Sequence, residues 1–89
     1  MNKNKYYNTT SLNLATFLCV KGINIIDIKD GSKRKTFIFD NSDQLDKLVR
    51  IFYFGKDNSP ELIVNAREIL KTLKDIKAKL YSLDYHKNN

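Results

Sequence analysis

The side chains best suited to chemistry in this sequence are basic, and they form two clusters. One cluster, at 33–35, follows a turn signal at 30–32, and the other is spaced four and three residues apart in the last third of the chain. On a helix that turns about 100° per residue, that spacing places the second cluster within about 60° of arc. Basic side chains on a helix stripe or a hairpin can contact the phosphates of a nucleic acid. The predicted phosphate-binding residues are Lys33, Arg34, Lys35, Arg67, Lys71 and Lys74.

The net charge also favours an anionic partner. The chain has 89 residues and carries +6, from 16 Lys and Arg against 10 Asp and Glu. Such an excess is typical of proteins that bind nucleic acid, a nucleotide or an acidic protein surface. The alternative is compositional, because AT-rich genomes enrich lysine, asparagine and isoleucine together. Under that alternative the helix surface is simply solvated, with Glu68–Lys71 and Asp75–Lys79 ion pairs along it.

Cysteine and histidine, which often carry catalysis, each occur once in the sequence. Cys19 lies in an apolar stretch near a predicted helix C-terminus, so we expect a small core residue rather than a reactive thiol. His86 is the only histidine and has no Cys, His or carboxylate cluster beside it, so neither a metal site nor a general base is predicted. The three glycines stand far apart and form no phosphate-binding loop. We therefore expect no enzyme activity, no metal and no cofactor.

Composition predicts one small domain without a membrane span. With 42% hydrophobic and 29% charged residues, the chain is too apolar for intrinsic disorder. It also lacks the run of roughly 20 apolar residues that a transmembrane helix needs. The first twenty residues do not have the layout of a secretory signal, so we expect a cytoplasmic location. The predicted organisation is a polar lead-in over 1–8, one domain over 9–86 and a tail over 87–89.

The longest periodic pattern predicts a helix in the last third of the chain. Its apolar residues follow one another at steps of 4, 3, 4, 3, 4 and 3, a period of 3.5 residues. With Ser59 as N-cap and Pro60 in the first turn, the helix is predicted to run from Pro60 to Leu83. We call the apolar residues the heptad seam: Leu62, Ala66, Ile69, Leu73, Ile76, Leu80 and Leu83. The seam predicts either packing within the chain, on a second helix at 45–52, or a homodimer through this helix or a hairpin edge.

The first predicted helix covers residues 12–20 and is apolar nearly all round. Thr9, Thr10 or Ser11 supplies an N-cap hydroxyl, and Lys21-Gly22 ends the helix, since glycine readily adopts the left-handed conformation at that position. A short helix with so little polar surface is expected to be buried on two sides.

A hairpin and a second helix follow. The β-branched segments 23–29 and 34–39 flank the turn, and Phe37 and Phe39 share one face of the second strand. An isolated hairpin is marginally stable in water, so we expect it to pack on the helices.

The second helix is capped by Asn41 or Ser42, with Gln44 three residues after Asn41 as in a capping box. Its apolar stripe is spaced i, i+3, i+4, i+7 from Leu45, and Gly55 ends it. The predicted fold class is α+β, in the order α-β-β-α-α, with the hairpin packed on helices and a long amphipathic helix at the C-terminus.

The first half of the chain resembles a small bacterial and phage family that is known only as a domain of unknown function. Its members similarly begin with a tyrosine, a threonine or serine cap, a Leu-x-Leu-Ala-x-Phe-Leu helix and Lys-Gly, followed by a hairpin. Here those features are the stretch from Tyr7 to Leu18, the Lys21-Gly22 pair, the strand at 37–39 and the helix around 45–49. The resemblance covers roughly residues 7–56. It implies a prokaryotic or phage origin and no known enzyme activity, and it carries no binding residues.

Together these observations predict a non-enzymatic binding protein of a bacterium, phage or mobile element. Nucleic acid is the expected partner, held mainly through its phosphates. One alternative is a small inhibitor or adaptor that docks on an acidic surface of a host defence protein, as an anti-CRISPR protein would. Another is an oligomer that sequesters an anionic nucleotide.

Overall fold

A three-stranded antiparallel sheet and three α-helices make up the part of the chain that the structure describes. The structure is a computed structural model that describes residues 4–31 and 33–87, with side chains as far as residue 83. The elements in chain order are β1 (Tyr6–Thr9), α1 (Leu12–Val20), β2 (Ile25–Asp30), β3 (Lys35–Asp40), α2 (Asp43–Phe54), a 3₁₀ turn (Pro60–Leu62) and α3 (Ala66–Lys87). The predicted α+β class and the order helix, hairpin, helix, long helix are confirmed.

The strand β1 is an element that the sequence reading missed, since it lies in the segment read as a polar lead-in. It pairs antiparallel with β3, so that the strand order is β1-β3-β2. Asn41 joins this edge to the sheet: its backbone N–H donates to the Lys5 carbonyl and its Nδ2 donates to the Asn4 carbonyl, both at 2.9 Å. Residues 1–3 of the lead-in, and 88–89 of the predicted tail, lie outside the described residues.

The strand β3 is the centre of the sheet and is buried on both faces. Phe37 and Phe39 are 2% and 0% exposed and belong to the core, as predicted. Ile38 points to the opposite face and is also buried, at 7% exposure. The pairing of β2 with β3 is irregular at Ile26, which is exposed.

The helix α1 occupies the centre of the molecule, between α2 and α3. Ser11 is its N-cap, with Oγ accepting a hydrogen bond from the Leu14 N–H at 3.1 Å. Residues 14–18 are all buried, including Thr16, whose hydroxyl donates to the Leu12 carbonyl at 2.8 Å. Gly22 follows the helix with a φ of +93°, as expected of glycine after a C-cap. The prediction that this helix is buried on two sides is confirmed.

The helix α2 begins at Ser42, whose Oγ accepts a hydrogen bond from the Leu45 N–H at 3.0 Å. The predicted capping box at Asn41 is wrong, because the Asn41 side chain bonds to the N-terminal segment instead. The apolar stripe of α2 faces the core, and the Phe52 ring lies 5.2 Å from the Phe17 ring of α1.

The long helix α3 begins at Ala66 rather than at the predicted Pro60. Pro60 does open a helical turn, but that turn is a short 3₁₀ segment that ends at Leu62, and Ile63 after it is extended. Asn65 then caps the new helix: its Oδ1 accepts a hydrogen bond from the Glu68 N–H at 3.1 Å. The β-branched pair 63–64 and the Asn65–Glu68 capping spacing are the sequence signals for this start.

The part of the heptad seam that lies in α3 packs mainly on α1, whereas Leu62, in the 3₁₀ turn, lies beside α2 as predicted and Ala66 is exposed. Ile76 is 3% exposed, and Leu80 packs against the same core. The helix α1 lies between α3 and α2 and packs against both. A homodimer through the heptad seam would therefore compete with α1 for the same side chains.

Replacing Gly22 by alanine is expected to lower the free energy of unfolding by about 1–2 kcal/mol, because φ is positive and a β-carbon is disfavoured there. No heavy atom lies within 4 Å of the added carbon, so the loss comes from the backbone alone. Gly22→Asn is the control, since asparagine tolerates this conformation better. Urea denaturation checks both variants, and a neutral Gly22→Ala would contradict the assigned helix end.

The two faces of α3 are expected to differ sharply in their effect on stability. Ile76→Ala removes a buried side chain and should lower the free energy of unfolding by about 2–5 kcal/mol. Leu70→Ala, on the exposed face of the same helix, should change it by less than about 0.5 kcal/mol. Thermal or urea denaturation measures both. Equal losses would show that α3 is turned differently on α1.

Candidate nucleic-acid interface

The face of α3 that points away from α1 carries a row of basic side chains. Arg67, Lys71 and Lys74 are all exposed, and the structure places them on one side of one helix. Lys77, which the sequence reading did not include, is also exposed, at the edge of this face about 60° from Lys74 and beside Leu12 of α1. We call these four residues the α3 basic face. From Arg67 to Lys77 the helix rises about 15 Å.

Two large apolar side chains lie on the same side of α3. Leu70 is 65% exposed and Tyr81 is 76% exposed. With Lys74 and Lys77 between them, these residues follow at steps of four, three and four, so that they form one line along the helix. They border an open groove of about 420 Å³, whose floor includes Ala78. The arrangement combines positive charge with exposed apolar surface.

The cations of the α3 basic face are not neutralised by neighbouring carboxylates. Across the side chains that the structure describes, none of the four lies in an ion pair, and the Glu68–Lys71 and Asp75–Lys79 pairs of the compositional alternative are not formed. Glu68 and Asp75 project roughly 100° around the helix from the centre of the basic face. The four charges therefore remain available to a partner.

The hairpin cluster is divided by the sheet register. Lys33 and Arg34 are exposed in the β2–β3 connection, where the Arg34 carbonyl accepts a hydrogen bond from the Gly31 N–H at 3.0 Å. Lys35 is half-buried and pairs across the strands with Asp30, its Nζ lying 2.7 Å from Oδ1. The charge of Lys35 is thus balanced locally. Lys33 and Arg34 are the cluster members best placed to meet a partner.

A second exposed surface, the aromatic end of α2, is electrostatically different. Tyr53 and Phe54 are 54% and 86% exposed, with ring centroids 6.4 Å apart. Burial raises the pKa of the neighbouring Tyr7 hydroxyl, and Tyr53 and Asp46 raise it further. The nearby Arg50 is held by Asp46, with Nε 3.3 Å from Oδ2. This end of α2 offers aromatic surface without a row of unpaired cations.

Cys19 packs against the core, as predicted, although it is only half-buried. Burial raises the pKa of its thiol, and this effect outweighs a backbone hydrogen bond from Ile25 and the positive charge of Lys79, which both lower it. The raised pKa keeps the thiol protonated and weakly nucleophilic at neutral pH.

The described residues contain neither a cluster of metal-ligating side chains nor a helix that could span a membrane. Among them, no three His, Cys, Asp or Glu side chains lie close enough together to hold a metal ion. In the same part of the chain, no helix is both long and apolar enough to cross a bilayer. The side chain of His86 lies outside the described part.

A family model matches residues 4–82 of the chain, and its description is a domain of unknown function, DUF5659. The chain belongs to the DUF5659 family. The match extends from β1 into α3, well beyond the 7–56 stretch that carries the sequence resemblance, so that the DUF5659 domain includes both sheet edges and most of the basic helix. No curated protein and no solved structure matches the chain.

Proposed function

We propose that this DUF5659 protein is a non-enzymatic binding protein of a bacterium, phage or mobile element, and that it binds nucleic acid through the α3 basic face. The observation that carries the proposal is the row of four exposed, unpaired cations on one helix face. Lys33 and Arg34 contribute a second contact, and Lys35 a weaker one because of its pairing with Asp30.

The length and charge of the basic face suit a phosphate backbone. Its rise of about 15 Å is the axial length of roughly four phosphates of one strand in a duplex. Since phosphates carry no sequence information, this mode of binding depends steeply on salt and discriminates weakly between sequences. The net charge of +6 adds long-range attraction to any polyanion.

Removing charge from the basic face should weaken binding far more than removing the same charge elsewhere. We expect Lys71→Ala/Lys74→Ala to lower affinity for generic oligonucleotides and to reduce the slope of log K against log[salt] by about 1.4–1.8, or 0.7–0.9 per lost phosphate contact. The matched control is Lys47→Ala/Lys56→Ala, which removes two exposed lysines and therefore lowers the net charge equally.

Fluorescence anisotropy with labelled DNA and RNA across a salt series measures these effects. Lys33→Ala/Arg34→Ala, measured in parallel, shows how much the hairpin contributes to the affinity. Equal losses of affinity in the two double variants would show that binding depends on the net charge and not on the position of the lysines. Absence of binding even at about 50 mM salt would reject the proposal.

The second candidate is an inhibitor or adaptor that docks on an acidic surface of a host defence protein. The observation that favours it is the exposure of Leu70, since an apolar side chain beside lysines suits a partly apolar acidic protein surface. A protein that fails the oligonucleotide test at low salt, and whose α3 basic face is required to suppress a defence nuclease, would support this candidate instead.

A further inference from the structure

Resting on the proposed function, we propose that the nucleic acid bound by the α3 basic face is single-stranded, and that Tyr81 stacks on one of its bases. Tyr81 lies on the side of α3 that carries the four cations, one turn beyond Lys77. Its side chain is 76% exposed, although a tyrosine ring normally buries much of its area. The ring therefore has a free surface beside the positive charges that would hold a backbone.

Along the groove, two lysines lie between two exposed apolar side chains. Leu70 and Tyr81 stand at its two ends, about 16 Å apart along the helix, and Lys74 and Lys77 lie between them. The lysines are placed to contact phosphates, while the apolar ends are placed to receive bases. This combination of a basic track with a stacking ring is the one by which single-stranded nucleic acid is bound without sequence preference.

A duplex cannot use the Tyr81 ring in the same way. Its bases are already stacked on one another and present only their edges in the grooves. An unpaired strand exposes base faces, each of which can stack on an aromatic ring. Because single strand and duplex can both make the phosphate contacts, stacking on Tyr81 is the contact that would distinguish their affinities.

The other exposed aromatic residues do not offer this combination. Of the described aromatic side chains that are more than half exposed, Tyr53 and Phe54 lie at the end of α2. Arg50, one turn before Phe54, is paired with Asp46, so this end of α2 lacks the row of unpaired cations that adjoins Tyr81. Phe54, at 86% exposure, is therefore a matched control for loss of an exposed ring.

The test compares a labelled oligo-dT of about 12 nucleotides with a duplex of the same length, by fluorescence anisotropy. Tyr81→Ala is expected to weaken binding of the single strand by about 5- to 150-fold, the range measured for loss of one stacked base. Its slope of log K against log[salt] should stay unchanged, because no phosphate contact is lost. Tyr81→Phe should bind as the parent protein does, Phe54→Ala should have no effect, and duplex affinity should be the same in all three variants.

The outcomes separate this inference from the proposed function. If Tyr81→Ala lowers the affinity for the single strand and the duplex equally, or changes neither affinity, the stacking inference is overturned. A loss of affinity in Lys71→Ala/Lys74→Ala would still support nucleic-acid binding in that case. If the parent protein binds neither form at low salt, both proposals fall. Because Tyr81 is exposed, its variants should fold, and the retention of binding by Tyr81→Phe shows whether the ring itself is needed.

Discussion

The burial of α1 on nearly every side is the constraint on which the rest of the structure depends. Leu14, Ala15 and Leu18 have no exposed surface, and helices on two sides pack against this nine-residue segment. A helix so short is not stable alone in water, so its neighbours must hold it. In turn α1 covers the part of the heptad seam that lies in α3, and the opposite face of α3 is exposed to solvent. The outward position of the α3 basic face is thus a consequence of the apolar composition of α1.

Elements with a strong local pattern could be predicted from the sequence, and those that depend on distant partners could not. The mostly apolar 12–20 segment, the hairpin and the capped second helix each carry their own signal. The strand β1 has only four residues, all of them polar or tyrosine, and its partner β3 lies about thirty residues away. The start of α3 was misplaced because Leu62 continues the apolar spacing although it lies in a separate 3₁₀ turn.

The candidate site was predictable to a similar degree. The helical spacing brought together Arg67, Lys71 and Lys74, and the same rule, carried one step further, finds Lys77. Lys35 was grouped with Lys33 and Arg34 because the three are adjacent in the sequence. In the sheet, however, Lys35 lies directly opposite Asp30 and forms an ion pair with it. The exposure of Tyr81 depends on how much of α3 is covered by α1, and local sequence patterns do not predict that packing.

We propose that partners of this DUF5659 domain bind on the outward face of α3. Titration of ¹⁵N-labelled protein with oligo-dT at low salt, followed by amide chemical shifts, tests it most directly. We expect the largest chemical-shift changes between Arg67 and Tyr81, smaller ones at Lys33 and Arg34, and little change within α1. Largest shifts at Tyr53 and Phe54 or along β2, or no shifts at all, would contradict it.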